Sequence, residues 1–88
     1  HLVFDGRRHL PLMCLPGMRE RCVRIGSAGK TFSMTGWKIG YISAPRALAE
    51  VIARAHQFVT FTSVPALQKA VAVGLGSEME YFSGLAGF

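Results

Sequence analysis

The sequence has few cysteines, no long apolar run and no leader-like N-terminus, and each absence excludes a class of protein. Its two cysteines, Cys14 and Cys22, form no CxxC pair and match no zinc-binding spacing, so we expect reduced thiols and not a metal site or disulfide framework. No apolar run reaches the roughly 18 residues needed to span a membrane. No charged, apolar and small-residue succession marks a signal peptide. These absences predict a soluble, cytoplasmic protein.

Acidic residues are also scarce, and the basic residues that outnumber them are dispersed. Ten Lys or Arg residues against five Asp or Glu residues give a net charge of +5, yet no run is dense enough to make a polybasic patch. No aromatic ladder lies between these charges, so nucleic-acid binding has little support. The three histidines stand at neither metal-ligand nor catalytic-triad spacing. We therefore assign no metal site and no nucleic-acid partner.

The composition that remains is apolar for so short a chain. Half of the 88 residues are hydrophobic and 17% are charged, whereas a chain of this length buries only a modest part of its surface on folding. The sequence starts at His1 rather than at methionine and stops at "GLAGF". We therefore expect residues 1–88 to form a single partial domain cut from a larger protein.

Residue patterns divide the chain into a strand-rich first half and a helical second half. Segments that are β-branched or alternate in polarity are predicted strands: 1–4, 22–27 and 38–44. Segments 45–58 and 65–76 have apolar residues at helical spacing, and each begins with a proline, which suits the first helical position. Segment 7–21, which contains prolines, is predicted to be irregular, with at most a short helical turn. The order of elements predicts an α/β unit.

The most distinctive stretch is "GSAGKTFSMTGWK", residues 26–38, and its lysine has two interpretations. A phosphate-binding P-loop has the pattern G-x-x-x-x-G-K-[ST], which wraps backbone N–H groups around phosphates. Counting back from Lys30, the first glycine should stand at position 24, where the chain has Arg24. A P-loop also runs directly into a long helix, whereas Gly36 and a strand-like run follow here. A P-loop-like nucleotide-binding domain is therefore the weaker alternative.

The stronger interpretation is a lysine that forms an imine with a cofactor aldehyde. Pyridoxal 5′-phosphate needs such an amine, an anion site for its phosphate and a carboxylate near its pyridine nitrogen. Lys30 would supply the amine, while Ser27 and Lys38 carry a hydroxyl and a positive charge suited to the phosphate. By residue type alone, this set is compatible with the cofactor and does not identify it.

The segment "SAGKTFSMTGWKIGYISAP" resembles the cofactor-lysine segment of class I and II pyridoxal-phosphate-dependent aminotransferases. Its pattern S-x-x-K-T-x-x-x-T-G-W-K-x-G is most similar to the kynurenine, glutamine and methionine aminotransferase subgroup. The resemblance extends through "LPGMRERCVRIGS" and "AHQFVTFTSVPALQKA" over nearly the whole chain. It implies a fragment of the large αβα domain of a fold-type I enzyme. The implied activity is reversible amino-group transfer between an amino acid and a 2-oxo acid in a ping-pong cycle.

The resemblance also implies roles for individual residues. Lys30 matches the lysine that forms the Schiff base with pyridoxal phosphate and moves the proton at the substrate's α-carbon. Ser27 matches a hydroxyl that binds the cofactor phosphate, and Lys38 matches a phosphate-binding cation that is arginine in many relatives. Phe61 falls where related enzymes send an aromatic residue from one subunit into the substrate pocket of its neighbour.

The other site residues of such enzymes are expected outside this sequence. The aspartate near the pyridine nitrogen and the tyrosine near the cofactor hydroxyl belong to a D-x-x-Y segment expected just before His1. The arginine that binds the substrate carboxylate is expected downstream of Phe88. The resemblance implies a homodimer of longer chains, and we expect the 88-residue chain alone to be inactive. A non-catalytic structural remnant that binds no cofactor stays open as a further alternative.

Overall fold

The structure is a computed structural model that describes residues 3–77 and 79–84. Its strands and α-helices follow in this order: β1 (Arg24–Ser27), α1 (Ala28–Thr31), β2 (Gly40–Ser43), α2 (Arg46–Val59), α3 (Pro65–Leu75) and α4 (Met79–Gly84). Short 3₁₀ helices lie between them or before them: Leu12–Cys14, Arg19–Arg21 and Thr35–Trp37. The chain therefore has strands in its first half and its long helices in the second, as the sequence predicts.

The two strands form an antiparallel pair. Ser27, the last residue of β1, lies opposite Gly40, the first residue of β2, and Gly26 lies opposite Tyr41. The ring of Tyr41 covers Gly26 so closely that a Cβ at position 26 would overlap it. Strands predicted within 22–27 and 38–44 are thus confirmed, although each is shorter than its predicted range. The absence of a side chain at Gly26 therefore allows the Tyr41 ring to pack over β1.

The two long helices agree with the predictions for 45–58 and 65–76. Pro65 occupies the first turn of α3, as expected for a residue whose missing N–H costs nothing there. Pro45 instead lies just before α2 in an extended conformation, so that helix begins one residue later than predicted. Apolar residues at helical spacing and an N-terminal proline therefore identified both helices to within about a residue or two.

The strand predicted at 1–4 is not confirmed in its described part. Residues 3–4 have no strand conformation, and residues 1–2 lie outside the described ranges. The turn expected after them is present: Asp5 and Gly6 have positive φ angles of 59° and 66°, and the Arg7 amide donates to the Phe4 carbonyl over 3.2 Å. The chain then continues as 3₁₀ turns, and in the described part of the chain residues 3–4 have no partner strand.

The packed core is small and lies beneath α1. Ala28, Ile39 and Val71 are buried and bring together α1, the residue before β2, and α3. Further apolar side chains pack against them: Phe32, Met34, Tyr41 and Leu67. Most other large apolar side chains stay exposed, and α2 contributes no buried residue at all. Across residues 3–77 and 79–84, no helix combines the length and apolarity needed to cross a membrane.

Candidate functional site

Ser27 joins the end of β1 to the start of α1. Its Oγ accepts a hydrogen bond from the Lys30 backbone N–H at 3.3 Å, which makes it the N-cap of the helix. Its backbone carbonyl accepts a second bond from Thr31 Oγ1 at 3.0 Å. Because Oγ acts as an acceptor in this cap, the hydroxyl hydrogen of Ser27 stays available to donate to an anion.

Lys30 lies on the single helical turn α1, which is held to the rest of the structure by a buried residue. The turn is anchored by Ala28, which is fully buried and whose N–H donates to the Ile39 carbonyl at 3.1 Å. Lys30 itself is exposed, and it forms no ion pair within residues 3–77 and 79–84. The result is a rigidly mounted backbone with a primary amine directed to the surface.

The carbonyl of Gly29 ties this turn to the segment that follows. It accepts hydrogen bonds from the Met34 N–H at 2.9 Å and from Thr35 Oγ1 at 3.2 Å. Gly29 is buried, and a Cβ there would lie 2.9 Å from the Thr35 Cα. These bonds hold the 3₁₀ helix Thr35–Trp37 against α1 and thereby bring the segment before β2 next to the lysine turn.

Lys38 ends that 3₁₀ helix in an unusual backbone conformation. Its φ and ψ of 52° and 44° are left-handed, and its N–H donates to the Thr35 carbonyl at 3.3 Å. A side chain other than glycine is disfavoured in this region by about 1–2 kcal/mol. Lys38 is exposed and, like Lys30, forms no ion pair in the described part of the chain. Strained residues of this kind cluster at functional sites.

The strand register brings three of the four predicted site residues to one end of the sheet. Ser27 pairs with Gly40, Lys30 follows Ser27 by three positions, and Lys38 precedes Gly40 by two. The backbone positions that carry one hydroxyl and two lysine side chains therefore lie at this end. Phe61 is not joined to them. It lies between α2 and α3, its ring is 74% exposed, and it forms no hydrogen bond or ring contact with described residues.

The sequence-based analysis did not identify the supporting hydroxyls. Thr31 and Thr35 donate to the backbone carbonyls of Ser27 and Gly29, respectively, and so stabilise the turn that carries Lys30. A signal was present, because hydroxyl residues recur every four positions at 27, 31 and 35. Such spacing places side chains on one helical face, but the glycines between them favoured a loop. The helical turn at Lys30 was therefore missed.

The short helix argues against the P-loop interpretation of the lysine. α1 ends at Thr31 after four residues, and the chain then turns through a 3₁₀ helix into an antiparallel strand. A P-loop runs into a long helix instead. The sequence comparison gives the decisive observation: residues 3–83 match the family model described as aminotransferase class I and II. The chain belongs to the class I and II aminotransferase family.

Curated aminotransferases are similar to this chain over almost all of its length. The kynurenine–oxoglutarate transaminase of Dictyostelium discoideum is 46% identical over 97% of the chain. The probable N-succinyldiaminopimelate aminotransferase DapC of Mycobacterium tuberculosis is 42% identical over 97%, and the methionine aminotransferase of Escherichia coli is 39% identical over 100%. The chain spans only 20–23% of the length of these relatives. No solved structure matches the chain.

Proposed function

We propose that this chain is the lysine-bearing segment of the large domain of a fold-type I aminotransferase. The observation that carries the proposal is the exposed Lys30 amine on a pinned turn, flanked by the Ser27 hydroxyl and the Lys38 ammonium, in a chain of this family. The whole protein would transfer an amino group reversibly between an amino acid and a 2-oxo acid in a ping-pong cycle.

The donor set fits pyridoxal 5′-phosphate. A primary amine is available for an aldehyde, and a hydroxyl with a free hydrogen and a second cation are available for a phosphate. When bound, the cofactor supplies that aldehyde and a conjugated ring that takes up the electrons of the substrate's Cα–H bond. Ser27 Oγ and Lys38 Nζ would hold the phosphate, and Lys30 would anchor the aldehyde end.

Lys30 would also move the proton. As a free amine it would accept the α-carbon proton of the amino acid at Nζ and hold it for return within the same half-reaction. Hydrogen bonds to Ile39 and Thr35 hold the backbone on either side of this lysine, so the attachment point of its side chain would stay in place while the proton moves. A fixed attachment point contributes part of the orientation that such a step requires.

The surface around these groups supports a role for the rest of the polypeptide. Ser27, Lys30 and Lys38 are exposed, and elsewhere on the described surface so are large apolar side chains such as Ile25 and Phe58, at 82% and 90%. A pocket that excludes water therefore needs walls from elsewhere. We propose that the rest of the large domain and a second subunit of a homodimer supply them.

Because both cysteines are free thiols, we also propose a cytoplasmic location.

The test is covalent labelling of the intact protein with pyridoxal phosphate and sodium borohydride, followed by peptide mapping. We expect pyridoxyl label on Lys30 alone, and no label on that peptide in the Lys30→Ala variant. Lys69, which is exposed on α3, serves as the internal control for non-specific reaction. Label spread over Lys30, Lys38 and Lys69 alike would contradict the anchor, and no label at all would favour the non-catalytic remnant.

The two functions of Ser27 can be separated by two substitutions. Ser27→Ala removes both the cap and the phosphate donor, so we expect a loss of about 1 kcal/mol in stability and about tenfold weaker cofactor binding. Ser27→Asp keeps an N-cap acceptor but places a carboxylate beside the phosphate. We expect it to unfold near the wild-type temperature and to bind pyridoxal phosphate more weakly than Ser27→Ala. Equal affinity of the two variants would argue against a phosphate at Ser27.

Two substitutions of Lys38, by alanine and by glycine, separate the effect of its charge from the effect of its left-handed backbone conformation. Both substitutions remove the ammonium group, so we expect both to weaken pyridoxal phosphate binding by about ten- to a hundredfold. Only glycine relieves the left-handed conformation, so Lys38→Gly should be about 1 kcal/mol more stable than Lys38→Ala. Absorbance titration with the cofactor and thermal unfolding measure the two effects. Lys38→Arg should keep most of the affinity, and its loss would contradict a simple charge requirement.

A further inference from the structure

The connection between α2 and α3 contains a tight turn centred on Phe61. The Thr62 N–H donates to the Thr60 carbonyl at 2.8 Å, which closes a three-residue γ-turn. The φ of Phe61 is 65°, so the turn is of the positive-φ kind. That form is rare and strained, and a bulky side chain makes it less favourable still. A relaxed loop would not adopt it without support.

Hydrogen bonds from both helices supply this support. On the α2 side, Thr60 Oγ1 is hydrogen-bonded to His56 Nε2 at 2.5 Å, and the Thr60 N–H donates to the His56 carbonyl at 2.9 Å. On the α3 side, Gln68 Nε2 donates to the Ser63 carbonyl at 2.8 Å and to Thr62 Oγ1 at 3.3 Å. The turn is therefore fixed on each side of Phe61, which is how strained conformations persist.

The strained turn does not serve to bury the Phe61 side chain among the described residues. The Phe61 ring is 74% exposed and forms no hydrogen bond or ring contact with the described residues. Packing within the described residues does not explain why several hydrogen bonds maintain a strained backbone around an exposed aromatic residue. The strain is accounted for when the ring is held ready for a partner surface, because a preset position lowers the ordering cost of contact.

We infer that Gln68 is a positioning residue, which fixes the γ-turn and so sets the position of Phe61, the ring that the family resemblance implies enters the substrate pocket of a neighbouring subunit. The inference rests on the proposed aminotransferase function. Gln68 touches no substrate and acts only through Phe61. The His56–Thr60 pair stabilises the other side of the same turn.

The test is a double-mutant cycle in the intact protein, with L-kynurenine or L-methionine as donor and 2-oxoglutarate as acceptor. We expect Phe61→Ala to raise KM for the donor about tenfold, since an aromatic contact is lost. Gln68→Ala should raise KM about threefold or more, with kcat within about twofold of wild type. On the Phe61→Ala background, Gln68→Ala should change KM no further. Lys69→Ala, an exposed neighbour on α3, is the matched control.

Hydrogen exchange gives a readout that is independent of activity. The Thr62 amide closes the turn, so its exchange should accelerate in Gln68→Ala and stay unchanged in Lys69→Ala. Unchanged exchange, or a KM effect of Gln68→Ala that persists in full without Phe61, would overturn the inference. Absence of pyridoxyl label on Lys30 would instead overturn the proposed function, and with it the role of Phe61 at a substrate.

Discussion

Replacing Lys30 with alanine in the intact protein is expected to reduce transamination by about 10³- to 10⁴-fold or more, which is the scale of a lost proton-transfer group. The structure supplies the reason. Lys30 lies on a turn pinned through Ala28 and Gly29, and Lys38, at the same end of the sheet, is carried by a separate segment with its own left-handed backbone. Lys38 therefore cannot take over the position of the missing amine.

The measurement is single-turnover reaction of the cofactor-loaded protein with L-kynurenine or L-methionine, followed by the change in cofactor absorbance. Lys30→Arg separates charge from proton transfer, because arginine keeps the positive charge but stays protonated. We expect it to be as inactive as Lys30→Ala. Lys69→Ala removes an exposed lysine from α3 and should react at the wild-type rate. Retention of more than about a hundredth of the rate by Lys30→Ala would exclude it as the principal proton carrier.

The long helices were predictable because their signals are local. Each combines apolar residues at helical spacing with a proline at or next to its first residue, and the observed bounds of α2 and α3 follow closely. The strand within 22–27 was predictable for the same reason, since polarity alternates along it. Three of the proposed site residues came from one dense motif, and the structure brings Ser27, Lys30 and Lys38 to one end of the sheet.

The conformation of the site was not predictable, since it depends on contacts distant in sequence. The Ala28 N–H donates to the Ile39 carbonyl, and the Gly29 carbonyl accepts from Thr35 Oγ1. Because of these contacts, a glycine-rich stretch whose composition predicts a loop forms a helical turn. Nothing local marks Lys38 or Phe61 as left-handed residues, because neither residue type favours positive φ. Such conformations arise from surrounding structure.

The apolar face of α2 shows a different gap between sequence and structure. Its spacing correctly predicts an amphipathic helix, yet Val51 and Val59 remain 64% and 80% exposed, and no residue of α2 is buried. Burial depends on what lies opposite a face, which periodicity does not specify. The chain spans about a fifth of the length of its relatives, which supports the proposal that further parts of a longer polypeptide cover this face.

The site also depends on a residue that carries no functional group. At Gly29, a Cβ would lie 2.9 Å from the Thr35 Cα and 3.4 Å from the Met34 carbonyl oxygen. These are backbone atoms, which cannot rotate away as a side chain can. Alanine at position 29 would therefore push the 3₁₀ helix away from α1 and strain the hydrogen bonds that join them.

Gly29→Ala is expected to destabilise the intact protein by about 1–3 kcal/mol, the range seen for overpacking, although alanine is the better helix former. Labelling of Lys30 by pyridoxal phosphate should fall as well, because Lys30 is the next residue on the displaced turn. Gly36→Ala is the matched control, since a Cβ there meets no atom within 4 Å. We expect Gly36→Ala to be as stable as the wild type or more stable by up to about 1 kcal/mol, because alanine reduces the conformational freedom of the unfolded chain. Thermal unfolding and borohydride labelling of both variants decide the matter: equal behaviour of the two would show that the contact between Gly29 and Thr35 does not position the lysine.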